Sequence, residues 1–455
     1  MTPDLLSEYE QNAANAAKKI FTIGDGALSK SDAPDALKAL ASINGFNGES
    51  GAVFCNDEAV LLGIGSGDDP LIYAAAAEKL VEGEYTLAGS LDGNVANLAV
   101  LGWLMGGYRF DRYKEQKPAV ARLVAPENAD IVAMRRAAQS VFMVRDLVNT
   151  PAGDMGPAAL EQAARNLASE MGARIDVIVG DELLAQNFPM VHAVGRAAKG
   201  APRLIDLRWG EPDAPKLTLV GKGVTFDSGG LNIKGAAGMV LMKKDMGGAA
   251  HSLALARMIM GAGLKVQLRV LIPAVENAIS GDAFRPSDIL QSRNGMTVEI
   301  GNTDAEGRLI LADALTYGGE EAPDLMISLA TLTGAARVAV GPDLAPFYCD
   351  DDGLVHALQD AAEQTADPVW RMPLWRGYES MLSSPIADVN HISGGSFAGS
   401  VTAALFLNKF AGAAERWMHF DLYAWRPKAA PGRPHGGEAQ AIRALFEMLA
   451  KRYPA

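Results

Sequence analysis

The residues best able to do chemistry are acids set beside glycine. Asn302-Thr303-Asp304-Ala305-Glu306-Gly307-Arg308-Leu309 places two carboxylates two positions apart, followed by a glycine and an arginine. Upstream, Val220-Gly221-Lys222-Gly223-Val224-Thr225-Phe226-Asp227-Ser228-Gly229-Gly230 gathers charge in a Gly-rich stretch, with Lys234 shortly after it. Asp245 lies in Lys243-Lys244-Asp245-Met246-Gly247-Gly248. Asp227, Asp245, Asp304 and Glu306 form a set of oxygen donors that cannot share a dry cleft without cations to offset their repulsion. Two divalent ions a few ångströms apart would satisfy them and make a water between them acidic enough to attack at neutral pH. The plainer alternatives are an N-capping Asp304 with a surface Glu306, a helix-capping Asp245, and Lys222 and Lys234 as solvated charges.

The surrounding pattern positions these groups. Gly295 to Ile300 alternates and is β-branched, which predicts a strand, and Leu309 to Leu315 predicts a helix. Asp304 and Glu306 then fall at the carboxyl end of a strand, where α/β sheets place ligands. In a locally extended segment both would point into one cleft. Arg308 would be available to an anion at the helix start. Lys216 to Val220 reads as an apolar strand, putting Lys222 and Asp227 just past its carboxyl end.

The wider chain supports a two-domain reading at 455 residues. Strands at 51–55 and 59–63 and helices at 69–80 and 92–105 predict a small N-terminal α/β domain over 1–124. A connecting helix follows over 125–148, ending at the turn cluster Asn149 to Pro157. From 149 to 455, strands (174–179, 204–209, 216–221, 265–273, 325–331) alternate with helices, which predicts a larger domain with a mostly parallel, helix-flanked sheet. The Asp92-Gly93 step has no lysine at the spacing of a phosphate loop.

The net charge of −13 disfavours a nucleic-acid partner. Two distant cysteines, Cys55 and Cys349, exclude a disulfide framework and point to a reducing compartment. No signal-peptide core and no bilayer-length apolar run are present, so the expected location is the cytoplasm, with no membrane partner. None of the six histidines shows paired ligand spacing, HExxH is absent, and no GxSxG elbow occurs.

NTDAEGRL at Asn302 to Leu309 and KGVTFDSGG at Lys222 to Gly230 resemble the signatures of the leucyl (cytosol) aminopeptidase family, in matching order and separation. The resemblance continues through Met242 to Ala250, Trp370 to Leu374, Ala398 to Leu407 and Trp417 to Asp421, and more weakly into the first domain. It implies a two-metal exopeptidase, with manganese or zinc, magnesium and cobalt also being acceptable to such a donor set. Asp227 and Glu306 match the family's bridging carboxylates; one metal would add Asp304, the other Lys222 and Asp245. Lys234 matches the lysine that polarises the substrate carbonyl. Arg308 matches the arginine that holds a bicarbonate acting as general base. Met242, Thr331 and Gly334 match the pocket for the first side chain, and Leu332 a carbonyl that meets substrate. The resemblance also implies peptide substrates with uncharged first residues and a homohexamer.

The chain departs from the family at two places. Leu422-Tyr423-Ala424-Trp425 stands where small residues are frequent, and Gly235 follows Lys234 where proline is frequent. A dipeptidase on the same scaffold, a DNA-binding role and a catalytically dead scaffold remain as alternatives at this point.

Overall fold

The computed structural model describes residues 5–7, 14 and 16–455. The chain forms two compact units, Met1–Phe142 with Arg426–His435, and Met143–Trp425 with Gly436–Ala455.

The first unit carries a six-stranded sheet in the order Leu6–Ser7, Ala121–Val124, Gly83–Leu87, Lys18–Gly24, Ala59–Gly65, Val53–Cys55. Every pair is parallel except the last, an antiparallel edge. Gly93–Gly106 is a buried helix capped by Asp92, whose carboxylate accepts from Val95 N at 2.9 Å. The helix expected over 69–80 shortens to Ala74–Lys79, because Asp69 Oδ1 accepts from Leu71 N at 3.1 Å and holds the preceding residues in turns. The expectation of one uninterrupted domain from 149 onward also needs correction. The loop Arg426–His435 packs with the first unit, where Gly432 N donates to Glu78 at 2.8 Å and Arg433 pairs with Asp69. The connecting helix is Ile131–Asn149, and the boundary between units falls inside it.

The second unit is built on a nine-stranded sheet whose path runs Val369–Arg371, Ala345–Cys349, Trp417–Asp421, Leu325–Ala330, Lys216–Gly221, Gln267–Asn277, Arg203–Gly210, Arg174–Val179. The middle four strands are mutually parallel, and both flanks turn antiparallel. These central strands read as near-continuous apolar runs, as sheets covered on both faces must. Two helices rich in Ala, Gly and Leu, Gly247–Ala262 and Glu306–Gly319, are buried almost all round, which fits core helices rather than surface ones.

Gln267–Asn277 runs past Pro273, where the sequence pattern ends the strand. Its pairing with Lys216–Gly221 stops at Leu271, and pairing with Gly223–Asp227 begins at Ala274. Pro273 sits in that change of neighbour, where a missing N–H is tolerated. The strand before the acidic loop also differs from expectation. Thr297–Glu299 joins Ile289–Gln291 and Val389–Asn390 in a separate three-stranded sheet, because a tight turn at Ser292 to Met296 folds it back on Ile289–Gln291. Among the described residues, no helix is long and apolar enough to cross a membrane.

Candidate metal centre

The acidic loop is not extended. Thr303–Ala305 makes a single 3-10 turn and Glu306 opens the helix Glu306–Gly319, so the two carboxylates reach the cleft through helical rather than strand geometry. The cap of the turn is Asn302, whose Oδ1 accepts from Asp304 N at 2.8 Å. That frees Asp304 from capping, and Glu306 is 1% exposed, so neither of the plainer readings of this pair holds. Thr303 staples the loop to the Gly-rich segment: its Oγ1 donates to Gly229 O at 2.7 Å and accepts from Asn232 N at 2.8 Å. Gly229 and Gly230 have φ of +88° and +62° and permit this contact; a Cβ at Gly230 would lie 3.0 Å from Thr303 Oγ1.

Asp227 ends the strand Gly223–Asp227, and its Oδ1 accepts from Gly229 N at 2.9 Å and Asn277 Nδ2 at 2.8 Å. Asp245 lies in the turn Met242–Met246; the following helix is capped at Met246 without a side-chain bond, so Asp245 does not cap it. Its Oδ1 accepts from Thr331 Oγ1 at 2.9 Å.

Two lysines knit these acids together. Lys222 is 3% exposed, and its Nζ lies 2.7 Å from Asp245 Oδ2, 3.0 Å from Glu306 Oε1 and 2.9 Å from Thr331 O. Lys234 Nζ lies 2.8 Å from Asp227 Oδ2 and also pairs with Asp304. Neither lysine is a solvated surface charge. Gly307 faces Lys222 so closely that a Cβ there would meet Lys222 Cε at 2.4 Å.

Such crowding perturbs several of these charges. Burial opposes the Lys222 ammonium, but Asp245, Glu306 and Asp227 outweigh it and raise its pKa. Burial pushes Glu306 up to about 8, with Asp227 adding to the rise. Asp304 is pushed up to about 6 by the same two causes. Burial lowers Arg308 to about 10. Perturbed clusters of this kind concentrate at functional sites.

The donors suit a divalent cation. Asp227, Asp245 and Glu306 each offer a ligand oxygen, and these atoms lie within 4.8 Å of one another in a buried setting. Asp245 Oδ2, Asp304 Oδ1 and Glu306 Oε1 are buried and accept no hydrogen bond beyond the lysine ammoniums beside them. Hard oxygen donors in this number fit hard or borderline cations.

The remaining expected residues flank this cluster. Arg308, the third residue of its helix, donates to His391 O at 2.6 Å, while its buried Nε has no hydrogen-bond partner among the described residues. Thr331 contacts both Lys222 and Asp245. Leu332 N donates to Asp421 Oδ1 at 3.0 Å. Gly334 opens the helix Gly334–Val340, and Met242 opens the turn that carries Asp245.

Three supporting residues escape sequence reasoning. Asn277 bonds Asp227 and Thr303 O, but the apparent strand end at Pro273 hides it. His391 donates from Nε2 to Asn302 O at 2.9 Å and accepts at Nδ1 from Gly301 N at 3.2 Å, and burial lowers its pKa to about 3, so it stays neutral. Nothing local marks it, since its partners lie far away in the chain. Asp421 accepts from Leu332 N, Thr333 N and Ser400 Oγ and shapes the loop after Leu325–Ala330.

Residues 142–446 match the cytosol aminopeptidase family, catalytic domain, and residues 8–126 match the M17 aminopeptidase N-terminal domain. With the carboxylate and lysine cluster, this defines a metal-dependent aminopeptidase, a hydrolase of the metallopeptidase class. A probable cytosol aminopeptidase of Chlorobium phaeobacteroides is 35% identical across 95% of this chain and 96% of its own. One from Roseiflexus castenholzii is 41% identical over 78% of this chain and 76% of its own. The crystal structure of cytosol aminopeptidase from Coxiella burnetii superposes with a TM-score of 0.92 at 42% identity, covering 99% of this chain and 100% of that one. The bottromycin maturation enzyme BotP in complex with Mn gives 0.85 at 31% identity, covering 96% and 99%. The chain belongs to the cytosol aminopeptidase family.

Proposed function

We propose that this enzyme releases leucine and other uncharged N-terminal residues from peptides at a centre of two divalent ions. The observation that carries the proposal is the buried grouping of Asp227, Asp245 and Glu306 within 4.8 Å, interleaved with Lys222. Asp227, Glu306, Asp304, Lys222 and Asp245 would hold the ions, with Asp227 and Glu306 shared between them. Manganese or zinc is the proposed occupant, and magnesium or cobalt is compatible with the same donors; the BotP structure was obtained with Mn. When bound, the ions supply positive charge that polarises a carbonyl and acidifies water.

The chain's own residues do the rest. Lys222 joins such a centre only as the neutral amine, giving up the proton it holds between Asp245 and Glu306. Lys234 reaches the cluster from the other side and donates a hydrogen bond to the substrate carbonyl oxygen as negative charge develops there. Arg308 would hold a bicarbonate, which would supply a general base for the attacking water; the Arg308 Nε without a hydrogen-bond partner among the described residues supports an anion at this place. Met242, Thr331 and Gly334 line the subsite for the first side chain, and the Leu332 carbonyl accepts from the peptide. The working form is a homohexamer in the cytoplasm, in keeping with relatives named cytosol aminopeptidases.

The test is hydrolysis of leucine-p-nitroanilide by chelated protein before and after adding Mn²⁺. Activity that disappears on chelation and returns with the ion is expected. Bound Mn²⁺ without turnover of this substrate would overturn the leucine reading.

A further inference from the structure

The turn that carries Asp245 also carries Lys244, whose ammonium does nothing in the scheme above. Lys244 is 5% exposed, and among the described residues its ammonium makes no hydrogen bond or ion pair. It lies over the ring of Tyr423, 5.0 Å from the centroid. Arg337, exposed on the helix Gly334–Val340, stacks on that ring at the same 5.0 Å and likewise forms no ion pair there. An aromatic ring attracts a cation, but two cations drawn to one ring repel each other. Packing alone asks for a neutral side chain at the buried position.

The backbone that carries the ring is tied down. Gln440 Oε1 accepts from Tyr423 N at 3.1 Å and from Ala424 N at 2.9 Å, and Ala424 adopts φ of 54°. Gln440 N in turn donates to His251 Nε2 at 3.0 Å. The stack also abuts the carboxylate cluster. Thr331, which bonds Lys222 and Asp245, and Ala424 both crowd Gly247, where a Cβ would lie 2.9 Å from Thr331 Cγ2 and 2.6 Å from Ala424 Cβ. The charged groups around Lys244 are Asp245, Lys222, Arg337 and Asp421. Both acids are committed elsewhere, Asp245 to Lys222 and Thr331, Asp421 to Leu332, Thr333 and Ser400. Two cations are therefore left over beside the reacting centre.

We propose that Lys244 and Arg337, both gathered on Tyr423, form an anion subsite that receives a carboxylate of the substrate close to the scissile bond. The inference rests on the aminopeptidase reading and extends the uncharged first-residue class proposed above. The carboxylate has two sources, an acidic first side chain or the free C-terminus of a dipeptide.

The experiment compares kcat/KM for glutamyl- and leucyl-p-nitroanilide, and for Leu-Gly and Leu-Gly amide, in the metal-loaded wild type, Lys244→Met and Arg337→Gln. Arg337 is exposed, so its variant tests the subsite even if the buried substitution impairs folding. A fall of about tenfold or more in the glutamyl-to-leucyl ratio assigns the subsite to the first side chain, on the scale of one charged hydrogen bond. A similar fall in the ratio of Leu-Gly to its amide assigns it to the free C-terminus. Both ratios unmoved in both variants overturn the subsite. Absence of leucyl-p-nitroanilide turnover by the metal-loaded wild type would instead overturn the leucine reading beneath it.

Discussion

Gly307→Ala is the sharpest probe of how the centre is built. In an isolated helix the change is favourable by about 1 kcal/mol, because glycine is the weaker helix former. Here the added methyl would sit 2.4 Å from Lys222 Cε, 2.6 Å from Nζ and 2.7 Å from Cδ. The end of a lysine usually swings aside at little cost. This one is 3% exposed and tied to Asp245 at 2.7 Å, Glu306 at 3.0 Å and Thr331 O at 2.9 Å. Separating a buried pair and stranding its charges costs about 3–5 kcal/mol. Subtracting the helix gain leaves a net destabilisation of about 2–4 kcal/mol. Urea unfolding of chelated wild type and variant measures it, and Mn²⁺ calorimetry on the same samples should show weakened binding. A variant as stable as wild type, with unchanged Mn²⁺ affinity, would refute the view that Lys222 is pinned.

Further outcomes follow from the same geometry. Glu306→Ala should abolish turnover and lose metal, whereas Arg308→Ala should slow turnover with metal retained; equal metal loss by elemental analysis would count against Arg308 as an anion holder. Glu306 is pushed from 4.5 up to about 8, mainly by burial. The unfolded chain therefore releases this proton earlier than the folded one, so this group makes metal-free stability fall as pH rises from about 4.5 to about 8. Ion binding must expel the same proton, so Mn²⁺ affinity should climb across that window, and loss of the Lys222 proton keeps it climbing above, with proton uptake by buffer visible in calorimetry. Glu438→Ala removes the carboxylate that meets buried Arg145 at 3.0–3.2 Å, and should cost about 3 kcal/mol in thermal or urea unfolding.

Much of the centre was legible because its chemistry is local. Asn302 to Arg308 and Lys222 to Lys234 each concentrate charge, glycine and a secondary-structure boundary within a few residues, and βα alternation announced the parallel sheet. What escaped reading depends on long-range contact. His391 reaches Asn302 and Arg308 from a distant loop, and no local pattern distinguishes it from any core histidine. Asn277 was hidden by Pro273, whose tolerance depends on where one neighbouring strand ends and another begins. The conformation of the acidic loop escaped for a related reason: Asn302 caps it and Thr303 binds the Gly-rich segment, which together favour a tight helical turn over the extended path that alternation implied.

The loop Arg426–His435 has a consequence for biosynthesis. Although Asp69 and Glu78 lie early in the sequence, they meet Arg433 and Gly432 only after those residues, 354 or more positions downstream, have left the ribosome. An N-terminal fragment ending near Phe142 would leave those two acids without these partners. The two units are thus not beads on a string, each finished before the next begins. The first waits for the second to be translated, and during that interval its unfinished surface is what chaperones would encounter.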